Sequence, residues 1–123
     1  MANVSNAVLK AERAPLDSAG AQSLVWAYFM EQPEGSIYVG GENLDHPPLR
    51  IAITTPKGAL NTATRKELVE ELGTIVDDIV GVYEGRLNHW TMLTELDEGS
   101  WAGSGQVFLL ADIQAAMNIK AAA

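Results

Sequence analysis

Two clusters of carboxylates are the residues whose spacing first suggests chemistry. Glu31 and Glu34 form one, and Glu95, Asp97 and Glu98 form the other. Neighbouring carboxyl groups can divide general-acid and general-base duties when their surroundings push their pKa values apart. Here both clusters fall in matching Gly-rich stretches, "EQPEGSIYVGG" from Glu31 and "ELDEGSWAGSG" from Glu95, which reads as a pair of solvated turns. His46 precedes Pro47 and Pro48 in a loop, and His89 opens a strand. Neither is followed three or four positions later by a carboxylate or a histidine, so the pattern supports no metal ligation. The glycines of "YVGG", Tyr38 to Gly41, lead into no helix and so make no phosphate cradle. Cysteine is absent, which excludes thiolate chemistry and disulfides, and no motif calls for a cofactor.

The elements that position these residues repeat. At a constant offset of 64 residues Trp26 matches Trp90, Glu31 matches Glu95, and Glu34-Gly35-Ser36 match Glu98-Gly99-Ser100. Between the copies, "NTATRKELVEELGTIVDDIVG" carries Leu68, Leu72, Ile75 and Ile79 on one helical stripe, widened by Val69, Val76 and Val80. Asn61 or Thr62 can cap its start and Gly81 its end, so the pattern predicts a helix over Thr62 to Val80. Gly73 inside it suggests a close approach of another backbone. "PLRIAITT" predicts a strand from Pro48 to Thr55, and "LNHWTMLTE" a second from Leu87 to Glu95. A strand, a long helix and a strand make a βαβ unit with parallel strands and a right-handed crossover. A short strand at Gln106 to Leu109 and a terminal helix in "LADIQAAMN" follow.

Applied backwards, the offset predicts a strand over Ser23 to Glu31 and a hairpin from "SIYVGG". It leaves only "NVSNAVLKAERA" to serve as the first helix, and it carries Pro48 to position −16, before Met1. The first repeat is therefore expected to be truncated. The chain divides on this basis into one domain over 1–120, with a truncated repeat at 1–46, a full repeat at 47–120, and a tail at 121–123 that resembles a cloning remnant.

Composition narrows the partners. An apolar fraction of 47% with three Trp fits a globular protein with a real core. No apolar run approaches a membrane span and no export signal opens the chain, which gives the expectation of a cytoplasmic protein away from membranes. Eight basic against sixteen acidic residues give a net charge of −8, which repels phosphate backbones and argues against nucleic acid.

The doubled segments "VWAYFMEQPEGSIYVGG" and "HWTMLTELDEGSWAGSGQVFLLADI", with "TTPKGALNTATRKELVEELGTIVDDI" between them, resemble the tautomerase superfamily. The likeness is to its tandem members built like macrophage migration inhibitory factor and the cis-chloroacrylate dehalogenases, and it covers Val8 to Met117. It implies an α+β fold of two β-α-β repeats, here a mixed four-stranded sheet with helices on one face, assembled as a homotrimer, with a dimer as the other possible assembly. It also implies an N-terminal proline acting as general base or acid, as a secondary amine in a partly apolar site can.

This chain begins Met1-Ala2-Asn3, and Pro15, Pro33, Pro47, Pro48 and Pro56 are all peptide-bonded. The resemblance therefore implies a homologue without proline catalysis, with no catalytic residue assigned, serving as a binding or assembly module. Lys57 stands in the loop where relatives bind substrate carboxylates, and Trp90 and Met92 stand at strand positions facing a neighbouring subunit. These three are the candidate ligand site for a small carboxylate. The alternative is an active isomerase, decarboxylase or hydratase on small 2-oxo or unsaturated acids, with Ala2 or Lys57 as base.

Overall fold

Asn61 and Thr64 start the longest element by capping each other. The Asn61 side chain accepts from the Thr64 amide at 2.9 Å, and the Thr64 hydroxyl accepts from the Asn61 amide at 2.8 Å. Two otherwise orphaned first-turn donors are satisfied in this way. A computed structural model describes residues 1–120. Its elements run α1 (Ala2–Ala11), α2 (Ala19–Leu24), β1 (Tyr38–Val39), β2 (Glu42–Asn43), β3 (Leu49–Pro56), α3 (Thr62–Val80), β4 (His89–Leu96), β5 (Ala102–Gly103), β6 (Gln106–Val107) and α4 (Leu110–Ala116). The protein is a small α+β fold with short sheets. The tail at 121–123 lies outside the described residues.

The βαβ unit forms as expected. β3 and β4 pair in parallel from Leu49 opposite His89 to Pro56 opposite Leu96, and α3 connects them. Along both strands the side chains alternate. Ile51, Ile53 and Leu93 pack with Leu60, Leu68 and Leu72 and with Val4, Val8 and Ala11 of α1. Thus α1 and α3 lie over one face of the sheet and leave the other face bare. The buried stripe of α3 runs Thr64, Leu68, Leu72, Val76, one residue every fourth position. Ile79, expected on that stripe, has drifted off it and is 72% exposed. Gly73 does not mark a close backbone approach, because a Cβ there would meet only the His89 ring at 4.0 Å.

A second core cluster gathers Leu9, Ala14, Ala21, Ile113 and Met117, with Trp101 and Phe108 packed against it. Here α2 meets α4 so closely that a Cβ on Gly20 would overlap the carbonyl oxygen of Ala116. Beside it the Ser18 hydroxyl accepts from the Ala21 amide at 3.1 Å and from the Asn118 amide group at 2.9 Å. Because the obstacle is helix backbone, Gly20→Ala is expected to cost about 1–3 kcal/mol by overpacking. Thermal unfolding checks this, and a melting temperature equal to that of the native chain would refute the contact.

The expected repeat is visible in the backbone. Hairpins β1–β2 and β5–β6 pair Tyr38 with Asn43 and Ala102 with Val107, both 64 residues apart. The Ser36 amide donates to Pro33 at 3.1 Å, and the Ser100 amide to Asp97 at 2.9 Å. The hairpin loops match as well: Gly40 and Gly41 have φ of 57° and 83°, and Ser104 and Gly105 have 50° and 80°. Positive φ at both central residues is the signature of a type I′ turn, whose twist suits a two-residue hairpin. That requirement explains why the two copies are rich in glycine.

Three further expectations fail. The mixed four-stranded sheet is replaced by three separate two-stranded sheets. The strand over Ser23 to Glu31 is absent: Ser23 and Leu24 finish α2, and Val25 to Ile37 has no regular structure. A strand exists only with a partner for its backbone groups, and the partner that the repeat requires is not among the described residues. The strand at Gln106 to Leu109 is shortened to Gln106–Val107 because α4 begins at Leu110.

Candidate functional site

The carboxylate clusters turn out to be largely structural. Glu95 receives Arg65 of α3 at 3.0 Å, which ties the end of β4 to the first turn of the helix. Glu98 accepts from the Leu110 amide at 2.7 Å, and Asp112 from the Leu109 amide at 3.0 Å, so both hold the start of α4. Glu31 and Glu34 are exposed.

The histidines are likewise engaged in holding elements together. His89 Nδ1 lies 2.6 Å from Asn88 Oδ1, which can only accept, so the ring donates. Buried Asn88 in turn donates to Asp77 at 2.7 Å and to the Gly81 carbonyl at 2.8 Å, clamping the end of α3 to the start of β4. His46 offers its carbonyl to Arg86, whose guanidinium sits 4.3 Å above the Tyr83 ring. Among the described residues no three His, Cys, Asp or Glu converge as metal ligands.

The three candidate ligand residues occupy different ends of the βαβ unit. Lys57 follows β3, donates its amide to Leu96 at 2.8 Å, and holds its ammonium 3.9 Å from Asp97, with both side chains well exposed. Trp90 and Met92 lie on the bare face of β4, opposite Arg50 and Ala52. Trp90 is 64% exposed, which removes it from the core of a single copy. Lys57 is seven residues beyond Arg50, so it stands ~23 Å along the ladder from Trp90. One chain does not bring Lys57 together with Trp90 and Met92. Ala2, the other residue considered as a base, is exposed in the first turn of α1.

Two features were missed in the sequence. Arg50 shares the bare face with Trp90 and Met92, and the alternation within "LRIAITT" carried that signal. Glu12, at the end of α1, is only 8% exposed, and burial pushes its carboxyl up from 4.5 to about 7. Nothing in its local sequence marks it as buried. Lys10 pairs with Glu71 at 3.7 Å across a groove of about 690 Å³ between α1 and α3, and Arg13 pairs with Glu67 at 3.1 Å.

No helix among the described residues is long and apolar enough to cross a membrane. No protein-family model matches the chain, and neither a curated protein nor a solved structure matches it.

Proposed function

We propose that this chain is a tautomerase-superfamily homologue acting as a homotrimeric binding or assembly module, without the N-terminal-proline chemistry of that superfamily. The observation that carries the proposal is the doubled turn and hairpin, in register at 64 residues and conserved in its backbone angles between the two copies. The second copy completes a β-α-β unit, which is the building block of that superfamily. All five prolines of the 123-residue chain are peptide-bonded, so none offers a basic nitrogen. Lys57 lies exposed on a turn beside Asp97, outside any enclosure that would favour it as a base.

Assembly follows from what a single copy leaves wet. Trp26, Tyr28, Phe29 and Met30 are 75–77% exposed, and Trp90 and Val107 are well exposed too. Covering each large side chain gains about 1.5–3 kcal/mol. In a trimer the bare face of one copy, with Trp90 and Met92, meets the Lys57 turn of the next, and a small carboxylate fits between the ammonium and the apolar pair.

Incubation with phenylenolpyruvate tests the catalytic half. Ketonisation is expected to stay at the buffer rate, since loss of a general base or acid costs about 10²–10⁴-fold. Robust turnover that survives both Lys57→Ala and N-terminal acetylation would overturn it. Light scattering behind a sizing column tests the assembly half, with three copies of the 13.2 kDa chain expected.

A further inference from the structure

We propose that the free edge of β3 takes up residues Trp26 to Glu31 of a second copy of this chain as an added, antiparallel strand. The inference rests on the assembly reading above in requiring a neighbouring copy, and it names the two surfaces that meet.

The acceptor is defined by the ladder. Leu49 donates its amide to Asn88 at 2.9 Å and Lys57 donates to Leu96 at 2.8 Å, so the odd-numbered residues of β3 turn their backbone groups toward β4. Arg50, Ala52 and Thr54 then point their N–H and C=O groups the other way, to an edge with no strand beside it among the described residues. Pro56 has no N–H and closes that edge.

The donor is the stretch that should be a strand and is not. Trp26 to Glu31 aligns by the repeat with Trp90 to Glu95, which lie within β4. Its aromatic residues suit a pleated surface, yet among the described residues of one copy the stretch pairs with no strand, and those aromatics stand three-quarters exposed. The two unfulfilled features are complementary and belong to the same polypeptide, which is why a second copy is the occupant.

Charge sets the direction. The start of the edge carries Arg50, which makes no ion pair among the described residues, and its far end lies beside Glu95 and Asp97. An antiparallel donor places Glu31 opposite Arg50, Phe29 over the small Ala52, and Ala27 beside Thr54. A parallel donor would bring Glu31 up to Glu95 and Asp97. Donor and acceptor are different surfaces, so the contact is head-to-tail, which is compatible with the three-copy ring of the assembly reading.

Because the chain has no cysteine, the pairing can be read by disulfide trapping. Chains carrying Ala27→Cys are mixed with chains carrying Thr54→Cys and oxidised. A mixed cross-linked product is expected in large excess over that formed with Glu70→Cys, on the exposed side of α3. A second variant, Ala52→Pro, removes one outward N–H while leaving the β3–β4 ladder intact, and should weaken self-association about tenfold or more with an unchanged circular dichroism spectrum. Cross-linking of Thr54→Cys no better than that of Glu70→Cys, in a chain that light scattering shows to be oligomeric, overturns this proposal and leaves the assembly reading standing. A monomer ends both.

Discussion

Leu72→Ala is expected to remove about 3–5 kcal/mol of stability, a large share of the roughly 5–15 kcal/mol that holds a domain folded. Leu72 is fully buried where α1, α3 and the sheet meet, among Leu68, Leu60, Ala7 and Val8. Its neighbours are side chains of three elements tied to their own backbones, so the space cannot collapse and a cavity term adds to the lost transfer energy. Ile79→Ala is the matched control. It shortens another apolar side chain of the same helix, but one that is 72% exposed, and should change stability by no more than about 0.5 kcal/mol. Urea titration of both variants decides the point. Equal losses would show that the face of α3 buried in solution is not the one described.

Glu12→Gln should remove a fall in stability that the native chain undergoes as pH rises from about 4.5 to 7. The folded chain holds the Glu12 proton up to about pH 7, whereas the unfolded chain releases it near 4.5. Between those values the folded state binds more protons, so stability falls as pH rises and levels off above about 7. The difference amounts to something on the order of 3 kcal/mol for this one group. Position adds to burial, because Glu12 caps the C-terminal end of α1, where the helix dipole disfavours a negative charge. Glutamine keeps the shape and abolishes the charge. The variant should match the native chain near pH 4 and exceed it clearly at pH 8, as read from urea midpoints. The same decline from pH 4.5 to 7 in both proteins would place the titrating group elsewhere.

The parts of this fold that were legible in the sequence are those whose signals are local. Asn61 and Gly81 bracket α3, and its bounds follow to the residue, because caps and a fourfold stripe act within a few positions. The two long strands are found within two residues for the same reason: their hydrophobic alternation sits beside clear turns. Ser23 to Glu31 misled because strand propensity describes a residue on a paired surface, and no pair is present. Ser18 caps α2 instead and draws Ser23 and Leu24 into a helix. The site was less legible than the fold. Lys57 lies beyond the far end of the ladder from Trp90, so one chain does not assemble the candidate set, and a residue-by-residue reading carries no signal of that distance. Glu12 was invisible because nothing in its local sequence separates a buried carboxyl from an exposed one.

The hydrogen bond from Asn118 to Ser18 joins residues 100 positions apart, and Leu9 shares a cluster with Met117. During synthesis the ribosome releases β3, α3 and β4 well before α4, so the βαβ unit can gather while the second cluster still lacks half its members. Leu9, one of the most buried side chains of the folded protein, therefore cannot complete its cluster until α4 has emerged. The order of synthesis thus separates the two clusters in time: the first can close on β3, α3 and β4, and the second waits for the last helix.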